Sequence, residues 1–220
     1  MIVAVVPAYN EEQEVGNVVR NTLPFVDRVL VVDDGSTDNT AQVARDAGAV
    51  VVAHAINRGL GASLGTGIKS ARKIGGKKII TLDADGQHLA EEIPLFVRAL
   101  DGHEVVLGSR MIEMKGNMPA FRRAAQRVGN MLTYVMFGLM VSDSQSGFRG
   151  FSAAAADALE IKTDRMEVSS EIISEIQKSG FKWTEVPITA IYTEYSLSKG
   201  QSFTVGIKTA LKLFIHRIKS

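Results

Sequence analysis

The residues best suited to chemistry lie in Lys77 to His88, KKIITLDADGQH. Ile79 to Leu82 reads as a buried strand that carries Asp83 and Asp85 to its C-terminal end. On an extended backbone, side chains two apart point to the same side. Two carboxylates held that way repel each other unless a positive charge lies between them. A divalent cation carrying a diphosphate is the natural partner, because Mg2+ and Mn2+ both take hard oxygen ligands. Gln87 adds a carbonyl or orients a bound water. The bland alternative is a strand-to-helix turn capped by Asp, since Asp and Gly are ordinary turn residues.

Other polar groups cluster after strands. Asp33 and Asp34 directly follow an apolar run, where a carboxylate can accept hydrogen bonds from a ribose hydroxyl or a base N–H. The first turn, Pro7-Ala8-Tyr9-Asn10-Glu11, contains no glycine. That argues against a dinucleotide site, and no P-loop run is present. Gly59, Gly61, Gly65 and Gly67 read as a glycine-rich loop leading into a helix, with close packing as their main role. Arg58 and Lys69 leave a phosphate role open there. His54 and His88 are too few and too isolated for a zinc site; His88 can be a turn residue, a donor to a ligand or a ligand itself. Arg122, Arg123 and Arg127 form the densest basic cluster, and Arg123 and Arg127 share a helix face at i and i+4. With Arg149 they read either as solvated surface or as a clamp for a phosphate-bearing acceptor.

These groups need elements to hold them. Ile2 to Val6, Val29 to Val32, Val50 to Ala53, Ile79 to Leu82 and Glu104 to Gly108 read as strands. Glu11 to Leu23, Asn39 to Ala47, the stretch ending at Lys73 and Glu91 to Leu100 read as the helices between them. That alternation predicts a doubly wound α/β sheet, whose ligands sit beyond the C-terminal strand ends. Pro7 to Glu11, Asp33 to Asp38 and Asp83 to Gln87 all fall there. Downstream, Phe121 to Val141 reads as a long helix broken near Gly129 and Gly138. Phe148 to Phe151 reads as a short strand, Glu167 to Ser179 as a helix and Phe181 to Ile188 as an edge strand. Phe203 to Ile218 reads as a basic amphipathic terminal helix that either packs on the sheet or rests on anionic lipid.

The 220 residues suffice for one domain with a sizeable core, and the net charge of +1 carries no polyanion-binding signal. No nucleic-acid partner is expected. The absence of cysteine excludes disulfides and thiolate zinc sites. The N-terminus does not read as a signal peptide, and no run of about 18 apolar residues predicts a membrane span.

Taken together, VVPAYNEE (5–12), VVDDGSTD (31–38), DADGQH (83–88), GSR (108–110) and DSQSGFR (143–149) resemble family 2 glycosyltransferases of the GT-A fold. The subgroup most similar is the dolichyl- and polyprenyl-phosphate sugar synthases. The resemblance implies a single domain, with residues 1–110 binding a nucleotide sugar, 111–200 binding the acceptor and 201–220 forming the terminal helix. It implies a mostly parallel, Rossmann-like sheet flanked by helices. Pro7, Tyr9, Glu11, Asp33 and Asp34 would line the nucleotide pocket with Asp83 and Asp85. Asp83, Asp85 and Gln87 would hold Mg2+ or Mn2+. Asp85, Arg110 and Arg149 would be catalytic, and Arg123, Arg127, Ser146 and Arg149 would bind the acceptor phosphate. Glu167 and Glu171 match a loosely defined acidic stretch. The implied reaction is inverting transfer of a hexose, from a GDP-mannose or UDP-glucose type donor, to dolichyl or polyprenyl phosphate. The implied location is the cytoplasmic face of a membrane, reached through amphipathic helices. The alternatives are a family 2 enzyme that extends a saccharide and a sugar-phosphate nucleotidyltransferase.

Overall fold

The strand β1 (Ile2–Ala8) is buried from Val3 onward because apolar, mostly β-branched side chains occupy both of its faces. The computed structural model describes residues 1–113, 120–189 and 191. The expected terminal helix at Phe203 to Ile218 lies outside them. The other strands are β2 (Arg28–Asp33), β3 (Val50–Ala53), β4 (Lys78–Thr81), β5 (Val105–Ser109), β6 (Arg149–Ser152) and β7 (Trp183–Pro187). Together they form one sheet in the order β3-β2-β1-β4-β6-β5-β7. All neighbours are parallel except that β6 runs antiparallel to both β4 and β5. β7 lies at the sheet's edge, where its closing Pro187 costs no ladder hydrogen bond.

Alternation along the strands divides the core between the two faces of the sheet. Ala4, Val6, Val29, Val31, Ile80 and Val106 pack against α1 (Val15–Thr22), α2 (Thr40–Asp46) and α4 (Ile93–Ala99). Val3, Val5, Leu30, Val32, Ile79 and Leu107 pack against α3 (Leu60–Lys73), α6 (Ala153–Ala158) and α7 (Val168–Ser179). Each valine, leucine or isoleucine among them, fully buried, contributes about 1.5–3 kcal/mol. A slip of one residue would exchange the two sets, so the register is strongly specified.

Several expected boundaries move for identifiable reasons. α1 begins at Val15 rather than Glu11, because the Glu11 and Glu12 amides donate to Thr40 Oγ1 (2.7 Å) and Asp38 Oδ2 (3.2 Å) in the loop after β2. α3 begins at Leu60, so Gly61, Gly65 and Gly67 lie within the helix, not in a loop before it. A Cβ at Gly67 would lie 2.3 Å from Val5 Cγ1, so glycine lets this helix approach the sheet closely. α5 (Ala120–Phe137) continues through Gly129 without a break. It stops at Gly138, which takes the left-handed conformation at φ +75°.

Candidate active site

β1 lies between β2 and β4, so consecutive connections leave it in opposite directions and open a crevice beyond its C-terminal end. Ala8, Asp33 and Thr81 end their strands on that edge. The antiparallel β6 brings the opposite end of a strand to the same edge. Arg149, its first residue, pairs with Thr81 on one side and Leu107 on the other. The polar segment 142–148 is thereby delivered against the acids after β4. Thr81 Oγ1 fastens it by donating to the Gly147 carbonyl (2.7 Å). Gly147 must lack a side chain, since a Cβ there would lie 2.2 Å from Asp83 Oδ1.

Asp83 Oδ2 lies 3.0 Å from His88 Nε2, and the Asp83 side chain keeps 39% of its surface exposed at the crevice. The His88 ring is tilted against Phe148, with centroids 5.1 Å apart, and Phe148 stacks on Phe96. His88 therefore orients Asp83 from a packed position. Asp85 accepts from the Gln87 amide (3.1 Å) and from the Gln87 side-chain nitrogen. Burial pushes the Asp83 carboxyl up, but the hydrogen bond and charge of His88, with Arg110 and Arg149 nearby, hold it below the ordinary carboxylate range. Burial also raises Asp85, and the charge of Asp83 raises it further. The two acids thus repel each other at short range, and their oxygens suit a hard cation placed between them.

Two arginines sit beneath them. Arg110 grips Asp143 with its amide (3.1 Å), Nε (2.6 Å) and Nη2 (2.8 Å), and Asp143 is buried. Arg149 is 3% exposed and donates to the Ser144 carbonyl (3.3 Å). Burial pulls its guanidinium down to about 10, against the opposing charges of Asp83 and Asp143. Asp83 and Asp143 thus lie among the charges of Arg110 and Arg149, with His88 beside Asp83 and Asp85. Ser146 is also buried, and its hydroxyl accepts from the Phe148 amide (3.3 Å).

The nucleotide-side residues divide in two. Pro7 is buried at the end of β1, Glu11 is half-buried and Tyr9 is 45% exposed over the crevice edge. Asp33 is buried, and its Oδ1 accepts from the Ser36 amide (3.2 Å). Asp34 is engaged by the fold. Its Oδ1 lies 2.7 Å from His54 Nδ1 and accepts the Arg58 amide (3.0 Å), while Oδ2 accepts the Gly59 amide (2.7 Å). His54 Nε2 reaches Thr66 Oγ1 (3.0 Å), tying β2, the end of β3 and α3 together. The first amides of α3 donate to the Asp164 carbonyl at 2.9 and 3.2 Å, so a protein oxygen occupies the place a phosphate would take. Glu171 holds that segment through the Lys162 and Thr163 amides (2.8 and 3.0 Å). Arg123 and Arg127 are exposed on α5.

Residues 3–159 match the family model described as glycosyl transferase family 2. The chain belongs to that family. An uncharacterized protein of Methanocaldococcus jannaschii is 45% identical over 99% of this chain and 92% of its own length. A UDP-N-acetylglucosamine–dolichyl-phosphate N-acetylglucosaminyltransferase of Methanococcus voltae is 33% identical, over 98% of this chain and 95% of its own length. Among solved structures, glucosyl-3-phosphoglycerate synthase of Mycobacterium tuberculosis, with phosphoglyceric acid, superposes with a TM-score of 0.74 at 21% identity. That match covers 97% of this chain and 79% of the synthase, and it establishes a shared GT-A fold.

In this family 2 chain the sequence motifs converge on one edge, but not all their side chains face outward. Asp83 and Asp85 do. Arg149 and Ser146, expected at the acceptor, are buried below, and Arg110 is bound to Asp143. Three structural partners were not singled out from the sequence: Asp143, Gly147 and the His54–Asp34 pair. Asp143 and Gly147 lie inside the DSQSGFR motif and could have been read with Arg149; nothing local links His54 to Asp34.

Proposed function

We propose that this chain transfers a hexose from a nucleoside diphosphate sugar to a polyprenyl or dolichyl phosphate, with inversion at the anomeric carbon. The observation that carries this reading is the meeting of Asp83 and Asp85 with the Arg149-bearing segment 142–149 at one sheet edge. The acceptor class is supported by the relatives, whose names include lipid-phosphate transferases for N-acetylglucosamine and for mannose. No helix among the described residues is long and apolar enough to cross a membrane.

Asp83 and Asp85, assisted by Gln87, are the proposed holders of Mg2+ or Mn2+, and their oxygen donors and mutual repulsion fit such an ion. When bound, the cation supplies positive charge to the leaving diphosphate. We assign Pro7, Tyr9, Glu11 and Asp33 to the nucleotide end, with the Asp33 carboxylate as the acceptor for base or ribose. His88 holds Asp83 in one orientation from behind. Arg110 and Arg149 add fixed positive potential under the reacting centre, where charge develops on the diphosphate. The attacking group is a phosphate monoester oxygen, already ionised near neutral pH because its second pKa is about 6. A strong protein base is then unnecessary.

The experiment is a panel of radiolabelled nucleotide sugars, covering mannose, glucose and N-acetylglucosamine. Each is offered a short polyprenyl phosphate, 3-phosphoglycerate or a saccharide, with and without Mn2+. Cation-dependent product in the organic phase is expected. Product only on 3-phosphoglycerate or the saccharide would replace the lipid reading.

A further inference from the structure

Glu185 stands where the sheet calls for an apolar side chain. It lies in register with Leu107 of β5, and alternation along β7 puts it on the face where Trp183 packs with Val105 and Leu107. It is half-buried there, on an edge strand outside the motifs read from the sequence. A carboxylate is kept among apolar neighbours only where hydrogen bonds satisfy it. Glu185 Oε1 accepts two, from the Ser142 amide (2.8 Å) and from the Ser142 hydroxyl (2.9 Å).

These bonds give a run of hydroxyls one direction. The Ser142 hydroxyl gives its single proton to Glu185, so it can only accept from Ser109 Oγ, 2.5 Å away. Ser109 Oγ, having donated, accepts from the Met111 amide (3.1 Å). The run Met111–Ser109–Ser142–Glu185 brackets Arg110, whose amide and guanidinium both bond to Asp143, the neighbour of Ser142. α5 holds the other side of the same segment. Asn130 donates from its side-chain nitrogen to the Ser142 carbonyl, and its oxygen accepts from the Ser144 amide and hydroxyl (3.0 Å each). Gln126 and Thr133 share that helix face; Gln126 donates to Asn130 (3.0 Å) and Thr133 Oγ1 lies 3.3 Å from Ser144 Oγ. Ser142 and Ser144 are thus fixed on either side of Asp143, which cannot shift without breaking bonds to β7 or α5.

We propose that Glu185 is a positioning residue for the transfer: through Ser142 it fixes Asp143, and through Asp143 the Arg110 guanidinium under the reacting centre. The role rests on the placing of Arg110 in the proposed function and is independent of which acceptor takes the sugar. Glu185 acts as a hydrogen-bond acceptor, since both donors meet one oxygen, and an amide oxygen has two lone pairs for the same task.

Glu185→Ala and Glu185→Gln are compared with the wild type in two measurements. The first is hydrogen–deuterium exchange of the unliganded full chain, which needs no substrate. Glu185→Ala should speed exchange in peptides covering 109–111 and 142–146 by about tenfold or more, through loss of bonds to a charged acceptor. Glu185→Gln should stay near the wild type. The second is steady-state transfer to whichever acceptor of the panel the wild type uses. In Glu185→Ala, kcat should fall roughly tenfold to a hundredfold, as for a displaced catalytic group, with the donor KM within about twofold of the wild type. Glu185→Gln should recover most of that kcat. Should Glu185→Ala fold poorly, Ser142→Ala serves in its place, because it cuts the hydroxyl run and leaves the backbone bond; the same fall in kcat at constant donor KM is expected, of smaller size. Wild-type exchange or wild-type kcat in Glu185→Ala would overturn the proposal, as would a Glu185→Gln protein as slow as Glu185→Ala. Transfer to 3-phosphoglycerate alone would displace the lipid reading, and the kcat comparison on that acceptor would still decide the role of Glu185.

Discussion

At the scale of single residues, the site is a set of charges held in opposition. Asp85 is raised by burial and by Asp83, so in the folded protein its ionised form is disfavoured. A carboxyl whose folded pKa exceeds its unfolded value subtracts stability once pH rises above the unfolded pKa. Asp85→Asn should therefore raise the melting temperature at neutral pH in cation-free buffer by a few degrees, as read by differential scanning fluorimetry. The same variant should abolish transfer and whatever extra stabilisation Mn2+ with a nucleoside diphosphate gives the wild type. Lower stability without cation would show that the two acids do not repel. Gly147→Ala addresses the neighbouring surface. Its methyl group would collide with the Asp83 carboxylate, displacing either the acid or the segment 142–148. We expect turnover to fall by about a hundredfold or more, as for a misplaced catalytic group, with stability reduced by about 1–3 kcal/mol. Near-normal kcat would mean that Asp83 has room to move without consequence.

At the scale of elements, two connections decide where the crevice lies. The Asp34–His54–Thr66 chain locks the ends of β2 and β3 to α3 through part-buried hydrogen bonds. Asp34→Ala would strand the Arg58 and Gly59 amides and the His54 ring, each otherwise satisfied. Leaving one buried group unsatisfied costs about 1–3 kcal/mol, so urea denaturation should show a loss of that order or larger. Donor KM should rise more than kcat falls, because Asp33 is adjacent and the transfer groups are on another strand. An unchanged denaturation midpoint would remove the locking role. The second connection is β6. Its antiparallel course lets one short strand place Arg149 between the ends of β4 and β5.

At the scale of the whole molecule, the sheet acts as a platform with buried charge beneath its catalytic edge. Arg149, 3% exposed, is buried with Asp143 and lies among the charges of Asp83, Asp143 and Arg110. Removing one partner of a buried ionic group costs about 3–5 kcal/mol, because the others are left uncompensated. Arg149→Met should show that loss in urea denaturation, together with loss of transfer to every acceptor in the panel. A stable Arg149→Met protein defective toward one acceptor only would return Arg149 to direct acceptor contact.

Local pattern was enough to find the first five strands, the helices between them and the two acids that follow β4. Apolar runs in Ile2 to Val6 and Val29 to Val32 can hardly be anything but buried strands, whereas Asp83 and Asp85 lie in the turn after β4, where the strand period of two that predicts a common side does not apply. The ordered motifs also identified the family. Which side chains face the crevice was decided by contacts between residues far apart in the chain. Phe148 to Phe151 reads as a strand in either direction, and only pairing with β4 and β5 made it antiparallel and buried Arg149. Asp33 and Asp34 look equivalent in a row, yet His54, twenty residues on, took one of them. α5 has apolar and polar stripes like any amphipathic helix; its polar stripe turned inward because Ser142 and Ser144 met it there. Periodicity records that a helix has two faces, and long-range hydrogen bonding chooses which one the protein keeps.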